Sequence, residues 1–177
     1  MKTIKNIGLL SLLCLSLLMT ACKSDDEGMD ATDDSATEAG AEFLTATVDG
    51  AAFEAAQDPA VIVGAQISSG VLAVQGGKNN GETISIAINN YDGPGTYISG
   101  DELTNPNLMQ YLTIDPIAAW ASSLASAAVG GLDVGTITIT SDSDGVVEGT
   151  FSFEGYNAED MTTKMVTEGS FKANLDN

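Results

Sequence analysis

"GTITITSDSDGVVEGTFSFEG", residues 135–155, decides how this chain folds. Ile137 and Ile139 alternate with Thr136, Thr138 and Thr140; after a break at 141–145, Phe151 and Phe153 alternate with Ser152 and Glu154. A period of two sends successive side chains to opposite faces of an extended strand, one face apolar and one wet. The break "SDSDG" holds Asp and Gly, the residues that tolerate the backbone of a tight turn. Two strands and a hairpin turn follow.

The same grammar runs outward from this stretch. "ISIAI" puts Ile84, Ile86 and Ile88 on one face, and "GSFKANL" sends Phe171, Ala173 and Leu175 one way and Ser170, Lys172 and Asn174 the other. Asp49-Gly50 separates "FLTATV" from "AAFEA" as a two-residue hairpin, and "GGKNNGE" at 76–82 joins "VLAVQ" to "TISIAI". Turns recurring about every 8–12 residues between short alternating runs predict an all-β fold, an antiparallel β-sandwich or partly closed barrel. Long helical segments never alternate with the strands, which argues against a parallel α/β sheet. One stretch departs from the pattern: "DPIAAWASSLASAAVGG", 115–131, has Ile117, Trp120 and Leu124 at helical spacing and Gly130-Gly131 as a stop. Either a strand near Trp120 or one short helix within 117–128 is expected there.

The N-terminal region carries an address. Lys2 and Lys5 precede an apolar run from Ile7 to Met19. A membrane-spanning helix needs about 20 apolar residues, so this run is a secretory h-region, and residues 1–21 are expected to be a signal peptide. "LMTAC", 18–22, resembles the bacterial lipobox, with Met19 where leucine is commoner. The resemblance implies cleavage between Ala21 and Cys22 and acylation of Cys22, a palmitate-type lipoprotein anchor. Two or more acyl chains hold a protein stably on a bilayer, one only marginally. Cys14 lies in the signal, so the mature chain has no thiol pair and no disulfide framework. "CKSDDEG", 22–28, is similar to the acidic export signal of surface lipoproteins in Bacteroidetes-type bacteria, which implies the outer face of the outer membrane. Residues 22–42 are acidic and nearly free of apolar side chains, and read as a disordered tether. Residues 43–177 read as a single β domain.

Charge and missing residue types exclude whole classes of function. The chain has no Arg and no His, and after cleavage four lysines face 25 acids, a net of −21. Phosphate backbones would be repelled, which excludes nucleic acid as a partner; a monomer is expected. Without histidine or a mature thiol there is no Ser-His-Asp triad, Cys-His pair or histidine-bound zinc. "GGKNNG" lacks the spacing of a phosphate loop. No catalytic residue and no cofactor is expected.

Three residue sets remain as candidates. Glu148 and Glu154 are the acids most embedded among apolar neighbours, as a glycosidase pair would require, yet each alternates with inward-pointing residues and is expected to face water. Asp142 and Asp144 are candidate metal ligands, since calcium takes oxygen from alternating Asp, but a hairpin tip explains them without metal. Tyr91 and Trp120 are candidate ligand-binding rings, with core or turn packing the simpler role.

Five stretches in order, "ATVDGAAFEA", "GPGTYIS", "GTITITS", "EGTFSFEG" and "VTEGSFKANL", resemble an uncharacterised family of Bacteroidetes-type lipoproteins in which an all-β domain follows a lipidated cysteine. The likeness implies fold and location, not activity. The expected function is a lipid-anchored, non-enzymatic binding or interaction module with a glycan or protein partner at the cell surface. The alternative is a carbohydrate-binding or carboxylate-based glycan-hydrolysing accessory protein.

Overall fold

The computed structural model describes residues 41–56 and 63–176. The expected signal segment, Ala21, Cys22 and the expected tether as far as residue 40 lie outside the described residues. In chain order the strands are β1 Phe43–Val48, β2 Ala51–Glu54, β3 Gly64–Ser68, β4 Val71–Gly77, β5 Thr83–Asn89, β6 Gly95–Ser99, β7 Leu108–Ile114 and β8 Ile117–Ser122. One helix, α1 Leu124–Val129, precedes β9 Gly135–Ser143, β10 Val146–Asn157 and β11 Thr162–Asn174.

These strands form one curled antiparallel sheet, a half-barrel, ordered β2-β1-β11-β10-β8-β7-β5-β4-β3, with β9 on β10 and β6 on β9. The sheet forks at β10 because that strand is long enough for two neighbours: residues 146–152 pair with β9, while Tyr156 pairs with Ala121 of β8. Curling brings the far strand β3 to the end of β11, where Ala65 bridges Leu175 and the Asp176 N–H donates to the Ala65 carbonyl at 2.8 Å. The expected all-β, partly closed architecture is what the chain adopts.

Alternation supplies the core. Leu72 and Val74 of β4, Ile84, Ile86 and Ile88 of β5, Ile137 and Ile139 of β9, Phe151 and Phe153 of β10, and Phe171 and Ala173 of β11 are all buried. At roughly 1.5–3 kcal/mol per buried large apolar side chain, this interior face is what fixes register, since a one-residue slip would expose all of it. The hairpin turns are where the sequence puts them. Asp49-Gly50 has φ of 47° and 82°, and Asp144-Gly145 has 55° and 76°, the left-handed pair a two-residue hairpin requires. β11 carries a bulge between the positions facing Phe153 and Phe151, with Glu168 at φ 53°; such an extra residue bends a strand and aids curling.

The 115–131 stretch resolves into both of its alternatives. The turn at Asp115-Pro116, a cis peptide, folds β8 back on β7, so Trp120 lies opposite Tyr111 and Ile117 opposite Ile114. The helical spacing of Ile117 and Trp120 is thus overridden by hairpin pairing, and Ile117 is 86% exposed. The helix begins only at Leu124, after the N-cap Ser123 accepts from the Ala125 N–H at 3.2 Å and donates its own N–H to Ser126 Oγ at 2.8 Å. Buried Ser99 and Ser122 hydrogen-bond each other at 2.9 Å beside this helix start, so the small polar residues there are internally satisfied.

Candidate functional site

Strands β3, β4, β5 and β7 have a second face, opposite the core. A groove of about 690 Å³ lies along it, within the usual range of about 300–1,000 Å³ for small-ligand sites. Antiparallel register stacks its residues in rows. Gly64, Gln75, Ser85 and Gln110 face one another across four strands, and Gln66, Ala73, Ala87 and Leu108 form the next row. Each alternates along its strand with a core residue: Gln75 follows Val74, Ser85 lies between Ile84 and Ile86, and Gln110 lies between Met109 and Tyr111.

The lining chemistry is unusual for this chain. The sequence has four glutamines, and three of them, Gln66, Gln75 and Gln110, line the groove; of the acids among the described residues only Asp176 does. No lysine and no aromatic ring is among the lining residues. Glutamine is not a favoured strand residue, whereas threonine is, so strand propensity does not account for the cluster. Gln110 Nε2 donates to Ser85 Oγ at 3.1 Å, while the Gln66 and Gln75 amides make no hydrogen bond among the described residues. The floor is small (Gly64, Ala73, Ala87, Gly77) and lets a ligand approach the sheet backbone. Asp176 sits at one end, its Oδ2 3.9 Å from where a Cβ on Gly64 would be.

A shallower depression of about 360 Å³ over β9–β11 is lined by Thr136, Thr138, Thr150, Ser152 and Ser170. Its hydroxyls are what exposed strand faces ordinarily carry, so it is the weaker candidate.

The residues singled out from the sequence lie elsewhere and are engaged in structure. Trp120 is 8% exposed, stacks on Tyr111 with ring centres 5.9 Å apart, and donates Nε1–H to Thr162 Oγ1 at 2.8 Å. Tyr91 packs against the core edge beside Tyr97 at 5.7 Å and donates its hydroxyl to Asp142 Oδ2 at 2.8 Å. Burial first, then the hydrogen bond to Asp142 and that carboxylate's charge, push the Tyr91 phenol well above its ordinary pKa. Asp142 therefore anchors a loop, and Asp144 sits in the turn at positive φ. Among the described residues no group of three or more His, Cys, Asp or Glu is placed to hold a metal ion.

Glu148 and Glu154 are not brought together as a catalytic pair on a cleft. Lys172 Nζ lies 2.9 Å from Glu148, and Glu154 accepts the Asp133 N–H at 2.9 Å. The other lysines of the β region are likewise committed, Lys78 to Glu82 at 2.8 Å and Lys164 to Asp49 at 2.9 Å. None is a free base beside a serine. Sequence reading missed Gln66, Gln75, Ser85 and Gln110; the available signal was three scarce amides at outward positions of strands.

No curated protein and no solved structure matches the chain. Residues 41–173 match the family described as Domain of unknown function (DUF6252). That span runs from just before β1 to Ala173, one residue short of the end of β11, and takes in the whole groove except Asp176; the chain belongs to the DUF6252 family.

Proposed function

We propose that this protein is a lipid-anchored, non-enzymatic binding module displayed on the outer membrane, with the β3–β4–β5–β7 groove as its ligand site. The lining of that groove carries the reading: it offers donors and acceptors in number, but a single carboxylate and neither a nucleophile–base pair nor a second acid. Most glycan hydrolysis uses two carboxyl groups about 5–9.5 Å apart, and the groove holds one. Binding is the chemistry that amides, hydroxyls and a lone carboxylate can do.

The anchor part of the reading rests on "LMTAC" and "CKSDDEG". No helix among the described residues is long and apolar enough to cross a membrane, and a covalent lipid at Cys22 would hold an acidic chain on a bilayer whose anionic headgroups repel it. Two experiments test the proposal. Cys22→Ala should abolish labelling by an alkyne-modified fatty acid, and persistent labelling would contradict the anchor. A Ser85→Trp variant, which fills the groove from its middle strand, should lose binding in a screen of glycans and extracellular proteins; retained binding would place the site elsewhere.

A further inference from the structure

We infer that the groove takes an uncharged, polyhydroxylated chain, a segment of neutral glycan, lying across the strands and held by Gln66, Gln75, Ser85, Gln110 and Asp176. This rests on the reading of the groove as the ligand site and names what enters it.

Each alternative ligand class fails on a specific feature. An anion meets a chain of net charge −19 and a groove without lysine, so neither desolvation nor Coulomb attraction favours it. A multivalent cation finds one carboxylate, Asp176, where oxygen-coordinated ions take six or more ligands and several charges. An apolar ligand would cover the exposed Gln66 and Gln75 amides and the half-buried Gln110 amide without giving them partners, at about 1–3 kcal/mol for each one it buries. A peptide recognised by strand addition needs a free edge. The groove instead lies on the face of the sheet; the edge strand β3 meets Leu175 and Asp176 at Ala65 on its outer side, and a strand added there would lie beside the groove and not in it.

A neutral glycan fits each of these features. Every sugar hydroxyl is both donor and acceptor, and a glutamine amide offers two donors and a carbonyl acceptor. With strands about 4.8 Å apart, Gln75 on β4 and Gln110 on β7 stand about 10 Å apart with Ser85 between them. Gln66 lies one row along on β3. Polar contacts are thus spread along a path across the strands, as a chain of rings needs, instead of converging on one point. The Gln110–Ser85 bond holds that amide in orientation, and the Asp176 carboxylate supplies a charge-assisted acceptor at one end. Alanine and glycine on the floor leave room for ring faces. No aromatic side chain lines the groove, so hydrogen bonding, not stacking, selects the ligand.

The test uses the intact chain in detergent, labelled with ¹⁵N, because glutamine side-chain amides are few enough to resolve. The probes are neutral oligosaccharides of glucose, mannose, xylose, galactose and N-acetylglucosamine, an oligouronate, and an alanine–threonine decapeptide. The expected result is that at least one neutral oligosaccharide shifts the Gln66, Gln75 and Gln110 side-chain signals and leaves that of Asn80, in the β4–β5 turn, in place. Gln75→Ala with Gln110→Ala should weaken that binding at least tenfold at an unchanged melting temperature, and Gln110→Asn alone should weaken it less. Binding of the oligouronate equal to that of its neutral counterpart overturns the inference, as does a groove that responds to none of the sugars. Decapeptide shifts at the same three amides, with no sugar response, overturn the glycan assignment and leave the groove standing as a binding site.

Discussion

Replacing Gly169 by alanine tests whether the half-barrel is packed as the register implies. Gly169 faces Phe151 across β10–β11, and a Cβ at Gly169 would stand 2.5 Å from Phe151 Cδ2 and Cε2 and 2.6 Å from Cζ. Carbon atoms prefer about 3.5–4.0 Å, so the ring would have to retreat by about 1 Å. It cannot do so freely: Phe151 is 4% exposed and lies against Phe171 with ring centres 6.4 Å apart. Overpacking of this kind costs about 1–3 kcal/mol. Alanine recovers about 0.4–1 kcal/mol by restricting the unfolded chain, leaving a net loss of about 1–2 kcal/mol. For a β region of this size that lowers Tm by about 4–8 °C. Phe151→Ala removes Cδ2, Cε2 and Cζ together at a cost of its own, about 3–5 kcal/mol, and should make Gly169→Ala nearly neutral in its background. Urea unfolding followed through Trp120, the sole and buried tryptophan, measures all four corners of the cycle. Equal costs of Gly169→Ala in the two backgrounds, or a stabilised single variant, would show that the ring does not sit over the glycine.

Other consequences can be measured on the same protein. Tyr91→Phe removes the hydroxyl bound to Asp142 and should cost about 1 kcal/mol in urea unfolding; a loss below about 0.3 kcal/mol would mean that water serves Asp142 equally well. Hydrogen bonds from Lys164 and Lys78 hold Asp49 and Glu82 below their ordinary pKa values. Both are depressed in the fold, so their stabilisation is complete above the unfolded values of 3.8 and 4.5 and is lost as pH falls through the lower folded values. Each pair is partly exposed and contributes at most about 1 kcal/mol, and Asp49→Asn should remove its share of the acid sensitivity. Above that window the opposite trend should hold. Residues 43–177 carry 17 acids and three lysines, and self-repulsion at that imbalance outweighs three exposed pairs. Raising sodium chloride from about 0.02 to about 0.5 M at pH 7 shortens the screening length several-fold and should raise Tm; a fall would mean that the ion pairs dominate.

How much of this was legible in the sequence depends on which physical signal each element carries. Ile84, Ile86, Ile88, Phe151 and Phe153 announced their strands because one face is buried and the other wet, and a period of two is all that such a strand needs. Asp49-Gly50 and Asp144-Gly145 announced their turns because few residues accept positive φ. Residues 117–129 could not be divided in advance: alanine and serine carry little periodic signal, and the boundary depends on pairing with β7, a long-range fact. The groove was hidden for the same reason in stronger form. Gln66, Gln75, Ser85 and Gln110 are spread over 45 positions of sequence, and each alone is an ordinary outward residue of a strand. Only the register of three ladders puts Gly64, Gln75, Ser85 and Gln110 in one row. Local periodicity determines which face of a strand is wet, whereas curvature and strand order determine which wet side chains meet. The rings and acids that looked chemical in one dimension, Trp120, Tyr91, Asp142, Glu148 and Glu154, are the ones the fold uses for its own cohesion. The amides of Gln66 and Gln75, which looked inert, are the ones it leaves exposed.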